Sequence, residues 1–407
     1  MLIETFIRKQ LRLKAHTVTK VVEREDAMVI YLDRLGHRLL RCGVCRHRCR
    51  EVHSVRPERE WRDLSMRTLS LKLRYRPRRV ECPRCGVRVE DFPWAEPWAR
   101  VTMALSNAVA VLARELSWQG TARHYGLNWK SVATIVKRAV AYGLRHRKRP
   151  PVHVIGIDEV SRRKGQVYLT VVYDLERRVL LWVGDDRTEE AVRPFFTEEM
   201  GARRCRTLQV VCMDMWATYA KLVREHAPNA QILFDRFHIV KHLNEAVDAV
   251  RREQWRRLTA KERVPFKGTR WLLLKNPENL DESGDEIARL HEALRLNEPL
   301  AMAYYMRDDL DQLWQAPSKK AAERILNRWI RQAEASGIRM LIKFAHTLAA
   351  HRSGILAYHT HPISTGPLEG TNTKIRVMQH QSYGFRDTEF FKLKIYALHE
   401  MKLKLVG

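Results

Sequence analysis

The order of apolar and polar positions divides the chain into blocks that differ in periodicity. Up to residue 95 the two classes alternate in runs such as "HTVTKVVERE", "AMVIYLD" and "TLSLKLRYRPRRVEC", a pattern typical of half-buried β-strands. Between residues 96 and 148 the runs "TMALSNAVAVLAREL" and "SVATIVKRAVAYGL" have the longer period of amphipathic helices. The basic run "RHRKRPP" that follows predicts a linker, because its two prolines stop a helix.

The second half of the chain predicts a sheet and then a helical segment. The runs "VHVIGID", "QVYLTVVYD" and "RVLLWVGD" predict three strands, followed by the helical stretch "TEEAVRPFFTEEM". Strand "LQVVCMD", helix "WATYAKLVREH", strand "QILFD" and a long helix from Arg236 to about Arg257 come next. Such continuous apolar runs indicate strands buried on both faces and covered by helices. Residues from about 258 to 350 predict helices throughout, and "EFFKLKIYALHEMKLKL" predicts a closing helix or strand.

The charge of the chain indicates the kind of partner. A chain of 407 residues is expected to hold more than one domain, and 45% hydrophobic residues indicate a globular protein. The net charge is +27, and residues 1–150 contribute +19 of it through 33 lysines and arginines against 14 acids. Such a field attracts polyanions, of which nucleic acid is the common one. Basic amphipathic helices with bulky apolar faces are not evident, so a membrane-surface role is not predicted.

The cysteines predict a metal site. We find no apolar run of about 18 residues and no secretory signal, and therefore expect a cytoplasmic, nucleoid-associated protein. Five of the seven cysteines lie between residues 42 and 85, which in a reducing compartment indicates metal binding. Two C-x2-C pairs predict one structural Zn²⁺ with the tetrahedral ligands Cys42, Cys45, Cys82 and Cys85. Cys49 and His47 are alternative ligands, whereas Cys205 and Cys212 are predicted to lie in the core.

The stretch "SWQGTARHYGLNWKSVATIVKRAV" predicts a helix-turn-helix. Gly126 would form the turn, and Asn128 could cap the second helix. That helix would present polar and aromatic side chains to a major groove, namely Asn128, Trp129, Lys130 and Ser131. By pattern alone a plain αα-hairpin fits equally well, and the surrounding positive charge favours DNA binding.

Two acids follow apolar runs and so predict a catalytic edge. Asp158 ends "VIGID" and Asp214 ends "VVCMD", so both are expected at strand ends on the same edge of a sheet. A single aspartate at a strand end is usually a turn or cap residue. Two of them in the order β-β-β-α-β-α-β favour a site for two Mg²⁺ ions that supports phosphoryl transfer. Glu159 should point to the opposite face, because successive strand residues alternate.

A third acid lies in a basic segment, "HPISTGPLEGTNTKIRVMQHQSYGFRD". From the residues alone, Glu369 is either an acid in the first turn of a helix, where the dipole favours it, or a metal ligand. Lys374 and Arg376 follow on the same predicted helix. They suit contacts to DNA phosphates, or they belong to a solvated helix face.

Several stretches resemble the ISL-three family of bacterial insertion-sequence transposases, which are DDE enzymes with a ribonuclease-H-like core. They are the two cysteine pairs, "GIDEVSRRKGQVYLTVVYD", "DMWATYAKLVREHAPNAQILFDRFHIVKHLNEAVDAVRR" and "GPLEGTNTKIRVMQHQSYGFRD". The resemblance implies that Asp158, Asp214 and Glu369 bind two Mg²⁺ ions, which Mn²⁺ can replace. Asp235 and His238 also match the family pattern, as a contact to the scissile DNA or as a structural pair.

The expected fold is therefore multidomain, α+β and α/β. We predict a zinc-binding β domain (1–95), a helix-turn-helix with its linker (96–150), and a ribonuclease-H-like mixed-sheet core (151–257 and 351–407). An all-helical insertion (258–350) interrupts that core. The resemblance implies that the chain binds the terminal inverted repeats of its element as a dimer or larger assembly, then cleaves DNA and joins it to target DNA. The alternatives are a zinc-containing DNA-binding regulator with an inert core and a ribonuclease-H-like nuclease.

Overall fold

The computed structural model describes residues 3–36, 40–96, 98–163, 167–281, 284–363, 365–382, 385 and 387–399. The chain divides into two compact units, one comprising Met1–Lys148 with Arg386–Gly407 and the other comprising Arg149–Phe385. No helix in the described ranges is long and apolar enough to cross a membrane.

The first unit begins with helix α1 (Ile3–Gln10), which the predicted strand pattern of residues 1–95 did not include. Its strands are β1 (His16–Glu23), β2 (Ala27–Arg34), β3 (Leu40–Arg41), β4 (Arg48–Cys49), β5 (Val52–Val55), β6 (Arg59–Arg62), β7 (Ser70–Tyr75), β8 (Arg78–Cys82) and β9 (Gly86–Val89). They form a four-stranded sheet in the order β1-β2-β7-β6, a three-stranded sheet in the order β5-β8-β9, and the hairpin β3-β4. The alternation in the sequence appears as burial on one face, for example at Leu71, Leu73 and Tyr75 of β7.

Three helices follow: α2 (Met103–Glu115), α3 (Trp118–Tyr125) and α4 (Trp129–Arg145). Thr102 caps α2, and its hydroxyl donates to the buried Asp63 carboxylate (2.6 Å), which follows β6. Gly126 ends α3 in the left-handed region (φ +58°), where glycine carries no Cβ penalty. The Gly126 carbonyl accepts a hydrogen bond from Arg62 (2.9 Å). These contacts hold the helix-turn-helix against strand β6.

The second unit contains a five-stranded sheet with helices on its faces. Its strands are β10 (Val154–Arg163), β11 (Val167–Asp174), β12 (Val179–Gly184), β13 (Val210–Met213) and β14 (Gln231–Phe234). The strand order is β12-β11-β10-β13-β14, with β10, β11 and β12 antiparallel and with β13 and β14 parallel to β10. Helices α5 (Glu189–Pro194), α6 (Gly201–Cys205), α7 (Ala217–His226) and α8 (Arg236–Arg257) connect or follow these strands, and a π-helical turn (Phe195–Met200) lies between α5 and α6.

A helical segment follows α8, as the sequence predicted. Its helices are α9 (Thr269–Leu274), α10 (Glu286–Leu296), α11 (Glu298–Gln315), α12 (Lys319–Ala335), α13 (Arg339–Ala350) and α14 (Arg352–Leu356), with 3₁₀ turns at Val264–Phe266, Pro277–Asn279 and Ala357–His359. Helix α15 (Gly366–Gln381) then returns to the sheet. Ile157 of the sheet and Leu326 of the helical segment belong to one continuous buried core. The segment is therefore packed into this unit.

The last described helix, α16 (Thr388–Ala397), belongs to the first unit. The sequence interpretation had assigned residues 351–407 to the catalytic core, and the structure differs because α16 has an apolar face that packs on the helix-turn-helix. Phe390 lies against Trp118 (ring centroids 4.1 Å apart), and Arg114 donates to the Leu398 carbonyl (3.1 Å). Contacts of this kind between distant segments cannot be read from periodicity.

Candidate active site and metal centre

The register of three parallel strands collects acids at one edge of the sheet. Ile157 of β10 pairs with Met213 of β13, which pairs with Phe234 of β14. The residues that follow them are Asp158, Asp214 and Asp235. Asp158 was predicted to end its strand. Instead, β10 continues to Arg163 beside β11, and only its pairing with β13 stops at Ile157. Asp158 nevertheless lies at the carboxyl edge of the parallel part of the sheet.

The imidazole of His238 lies between two of these carboxylates. Its Nε2 is 3.4 Å from Asp158 Oδ1, and its Nδ1 is 3.6 Å from Asp214 Oδ2. Burial alone would lower the pKa of His238, but the hydrogen bond to Asp158 and the charges of both aspartates outweigh it and raise that pKa. His242, one turn further along α8, lies 3.8 Å from Asp214, and contact with Asp214 raises its pKa also. Two carboxylates thus converge on the His238 imidazole.

Asp235 has a different set of contacts. Its carboxylate accepts the backbone N–H of Phe237 (2.9 Å), which caps helix α8, and the hydroxyl of Thr365 (3.2 Å) at the start of α15. Burial raises the pKa of Asp235 above its ordinary value. Asp235 therefore joins the beginnings of two helices to the end of β14.

Helix α15 lies along strand β10. Three contacts define its position: Leu368 Cδ2 is 3.1 Å from the place where a Cβ on Gly156 would lie, Asn372 Nδ2 donates to Asp158 Oδ2 (2.5 Å), and Gln379 Nε2 donates to the Ser161 carbonyl (3.0 Å). From the first contact to the last the helix advances about 16 Å at ~1.5 Å per residue, and the strand advances about 16 Å at ~3.3 Å per residue. The helix and the strand therefore advance by equal distances between the first contact and the last.

Glu369 lies in the first turn of α15, three residues before Asn372. Residues three apart on a helix are neighbours on its surface, so Glu369 lies one turn from the side chain that contacts Asp158. It is exposed and lines a cavity of about 790 Å³ together with Asp235 and Thr365. Within the described ranges, the three predicted acids do not form a cluster whose oxygens all lie within 4.8 Å of one another.

Other acids near the edge are engaged elsewhere. Glu159 accepts the Tyr219 hydroxyl (3.1 Å) and pairs with Arg187 (3.3 Å), on the face opposite to Asp158, as alternation predicts. Burial raises the pKa of Glu159. Asp174 accepts two backbone N–H groups of the β11–β12 turn and so stabilises that hairpin. Neither is available to the candidate site.

The four predicted cysteines form one cluster. Their sulfur atoms all lie within 4.8 Å of one another, and the residues are Cys42, Cys45, Cys82 and Cys85. Burial raises the pKa of Cys82, but hydrogen bonds from the backbone N–H groups of Arg84 and Cys85 and from the neighbouring thiols outweigh it and lower that pKa to about 6. Cys49 is outside the cluster and donates to the His47 carbonyl (3.5 Å). Four thiol groups at this spacing match the closed, tetrahedral ligand set of structural metal sites.

The residues predicted for DNA contact lie at the start of α4. Asn128 caps this helix, since its side chain accepts the N–H of Lys130 (2.8 Å). Lys130 and Ser131 are exposed, and Trp129 is 43% exposed with its ring 6.4 Å from that of Phe390. Lys374 and Arg376 are exposed on α15. Asn128 is exposed as well, and its cap uses the side-chain oxygen, so all of these residues are accessible to a ligand.

Two side chains at the acidic edge were not predicted. His242 follows His238 by four residues on α8, and Asn372 follows Glu369 by three on α15. The signal in each case was helical spacing. A residue three or four positions after a predicted site residue lies on the same face of the helix.

A helix-turn-helix and a mixed sheet that gathers acids at one edge are features of a DNA-binding transposase, and comparison with known proteins shows that this is the class of the chain. A family model described as "Transposase", of the DDE type, matches residues 155–395, and one described as "Helix-turn-helix domain of transposase family ISL3" matches residues 90–140. The chain belongs to this ISL-three (ISL3) family of transposases, as the sequence resemblance indicated.

Two curated relatives are similar over most of their length. The transposase for insertion sequence element IS1001 of Bordetella parapertussis is 36% identical over 94% of this chain and 95% of its own. The transposase for insertion sequence element IS1557 of Mycobacterium tuberculosis is 30% identical over 86% of this chain and 84% of its own. The Drosophila P element transposase strand transfer complex aligns over 72% of this chain and 90% of that chain, with 12% identity and a TM-score of 0.40. A similarity at that level does not define a shared fold.

Proposed function

We propose that this transposase binds the terminal inverted repeats of an insertion sequence and catalyses metal-dependent strand cleavage and strand transfer. Asp158, Asp214 and Glu369 are the proposed catalytic acids. The observation that carries the proposal is the alignment of α15 with β10, which sets Glu369 one turn from the contact between Asn372 and Asp158.

The proposed core is ribonuclease-H-like. Support for this comes from the strand order β12-β11-β10-β13-β14, in which three antiparallel strands precede two strands parallel to the first. The first proposed acid is on the central strand, and the second follows the parallel strand beside it. The third comes after the helical segment, which accounts for the long interval between Asp214 and Glu369.

The residues present fit a divalent cation. Asp158 and Asp214 converge on the imidazole of His238, so two carboxylates lie close together there, and all the proposed ligands are oxygens. We propose two Mg²⁺ per site, with Mn²⁺ able to substitute. Bound there, the ions would activate water and the 3′-hydroxyl and stabilise charge on the phosphate. The other proposed ion is one structural Zn²⁺ on the four cysteines.

The remaining proposed roles concern the DNA. Asn128, Trp129, Lys130 and Ser131 would meet the major groove from the start of α4, with Asn128 also holding the helix end. Lys374 and Arg376 would contact phosphates beside the site, and His238 with Asp235 would keep the acidic edge in place. Two element ends must be brought together for transposition, so we propose a dimer or larger assembly on DNA.

The test is cleavage and joining of a duplex that carries the element's own end, in Mg²⁺, by the intact chain. Glu369→Gln should lose both activities while still binding the duplex. Glu278→Gln is the matched control, because Glu278 is also exposed and lines the same cavity but is not on α15. Equal cleavage by wild type and Glu369→Gln would reject the triad. Specific binding without cleavage by wild type would favour a regulator, and cleavage without end specificity or joining would favour a nuclease.

A further inference from the structure

A second cavity lies in the first unit, beside the cysteine cluster, and has a volume of about 780 Å³. Gly43 and Val44 of the first cysteine pair form part of its wall. Four arginines from three parts of the chain also line it: Arg56, Arg59, Arg88 and Arg100. Trp98 is a further lining residue and is 71% exposed. The cavity is thus both cationic and aromatic, and it is separate from the helix-turn-helix.

The positive charge of this cavity is largely uncompensated. The acids that line it are Glu58, Glu90 and Asp91. Two of them are engaged outside the cavity, since Glu58 pairs with Arg74 (3.5 Å) and the buried Glu90 pairs with Arg34 (2.7 Å). Among the described residues none of the four arginines has an ion pair, so they face Asp91 alone and leave a net charge of about +3.

The arginines are close enough to repel one another. Burial, and then the charges of Arg100 and Arg56, lower the pKa of Arg59. Arg59 donates to the Ala99 carbonyl (2.6 Å), and the Arg56 guanidinium lies 5.8 Å from the centre of the Trp98 ring. Trp98 has a left-handed backbone (φ +64°), which is strained for a residue with a side chain. The repulsion between the guanidinium groups is reduced when an anion binds there.

The cavity is joined to the helix-turn-helix by one short strand. Strand β6 bears Arg59 in the cavity, and three residues later Arg62 donates to the Gly126 carbonyl in the turn between α3 and α4. Three residues of a strand span about 10 Å. A duplex bound at the start of α4 would extend past the turn, and each of its strands carries one phosphate per about 3.4 Å of helix axis. An anion within reach of the cavity is therefore the backbone of the same DNA.

We propose that this cavity, lined by Arg56, Arg59, Arg88 and Arg100, binds the phosphodiester backbone of duplex DNA next to the segment read by the helix-turn-helix, with Trp98 packing on the sugar. The inference rests on the proposed binding of element ends. It adds a contact that supplies affinity and register without reading bases.

The test measures binding of the intact chain to an element-end duplex as a function of KCl concentration. Each phosphate contact contributes about 0.9 to the slope of log K against log salt. Replacing Arg56 and Arg88 together by Gln should lower the slope by about 2 and remove hydroxyl-radical protection from one short backbone segment. Replacing both by Lys should restore the slope. Arg24→Gln, an exposed arginine in the β1–β2 turn outside the cavity, should leave slope and footprint unchanged.

Several outcomes would separate this inference from the proposed function. If wild type binds the end duplex specifically and Lys130→Gln weakens it, but the double Gln variant keeps the slope and the footprint, the cavity does not bind DNA. If wild type shows no specificity for the end duplex, both proposals fail. Because Arg88 is close to the cysteine cluster, metal content is compared with wild type. If it has fallen, Arg100→Gln replaces the double variant, with an expected loss of about 1 in slope.

Discussion

The contact between Gly156 and Leu368 offers a sharp test of how α15 lies on the sheet. A methyl group on Gly156 would be 3.1 Å from Leu368 Cδ2 and 3.0 Å from Leu175 Cδ2. Ordinary carbon–carbon contacts are about 3.5–4.0 Å, so Gly156→Ala requires a movement of about 0.5 Å. Overpacking of this kind costs about 1–3 kcal/mol. Leu368 is 2% exposed, and Leu368→Ala alone would leave a void costing about 2–5 kcal/mol.

The two changes should compensate when combined. In the double variant the new methyl group enters part of the space that Leu368 vacates, so its total cost should be less than the sum of the single costs by about 1 kcal/mol or more. Compensation should be partial, since Leu175 still lies against Gly156. Gly156→Ala should also slow cleavage by up to about 100-fold, because it displaces the turn that bears Glu369 relative to Asp158. The double variant should recover part of that rate.

The assay combines urea unfolding of the intact chain, hydrogen exchange in α15, and single-turnover cleavage. Gly184→Ala is the control, because it overpacks against Trp182 on β12, and its cost should add to that of Leu368→Ala. The prediction fails if the Gly156 and Leu368 costs add within about 0.5 kcal/mol and the rate is not recovered. In that case α15 does not lie on β10 as described, and Glu369 loses its structural support.

Two further predictions concern the first unit. Cys82→Ser should abolish bound zinc, measured as metal per chain, and unchanged metal content would contradict a metal site at the cysteine cluster. The same variant should reduce the salt slope of DNA binding, because the backbone N–H of Gly43, beside Cys42, donates to the Val89 carbonyl (2.9 Å) on the strand that bears Arg88. Burial lowers the pKa of Lys394 on α16 to about 8, so the folded unit holds this proton less tightly than the unfolded chain. Its stability should therefore rise between about pH 8 and pH 10.5, by on the order of 3 kcal/mol. In Lys394→Met that rise, followed by urea unfolding, should be absent, and an identical rise in both proteins would reject the assignment.

Local pattern predicted the elements better than their assembly. The continuous apolar runs predicted β10 to β14, and the predicted span of α8 matches Arg236–Arg257, because burial on two faces and helical period are properties of short windows. The C-x2-C spacing predicted the cysteine cluster for a similar reason, since each pair constrains its own geometry. Assembly depends on distant contacts. Phe390 on Trp118 assigns α16 to the first unit, and nothing near Phe390 in the sequence indicates this.

The cationic cavity illustrates the same limit. Its arginines lie in separate segments of the sequence. Each of them is one basic residue among many in a chain with 74 lysines and arginines. The pairing of β8 with both β5 and β9, and the hydrogen bonds from β6 to Ala99 and Arg100, bring them to one place. Overall charge therefore predicted the class of partner, and the fold was needed to suggest where on the first unit that partner binds.

The choice of third acid can also be argued from existing contacts. Asp235 occupies the same row of the sheet as Asp158 and Asp214, so position alone makes it a candidate. Its carboxylate, however, accepts the N–H that begins α8 and the Thr365 hydroxyl that precedes α15. Turning it toward a cation would uncap α8, at a cost of about 1 kcal/mol, and release the start of α15. Within the part of the chain that the structure describes, the Glu369 side chain has no comparable hydrogen bond, and it is exposed in the cavity beside Asp235. These contacts therefore favour the proposal in which Asp235 positions α15 and Glu369 is the third metal ligand.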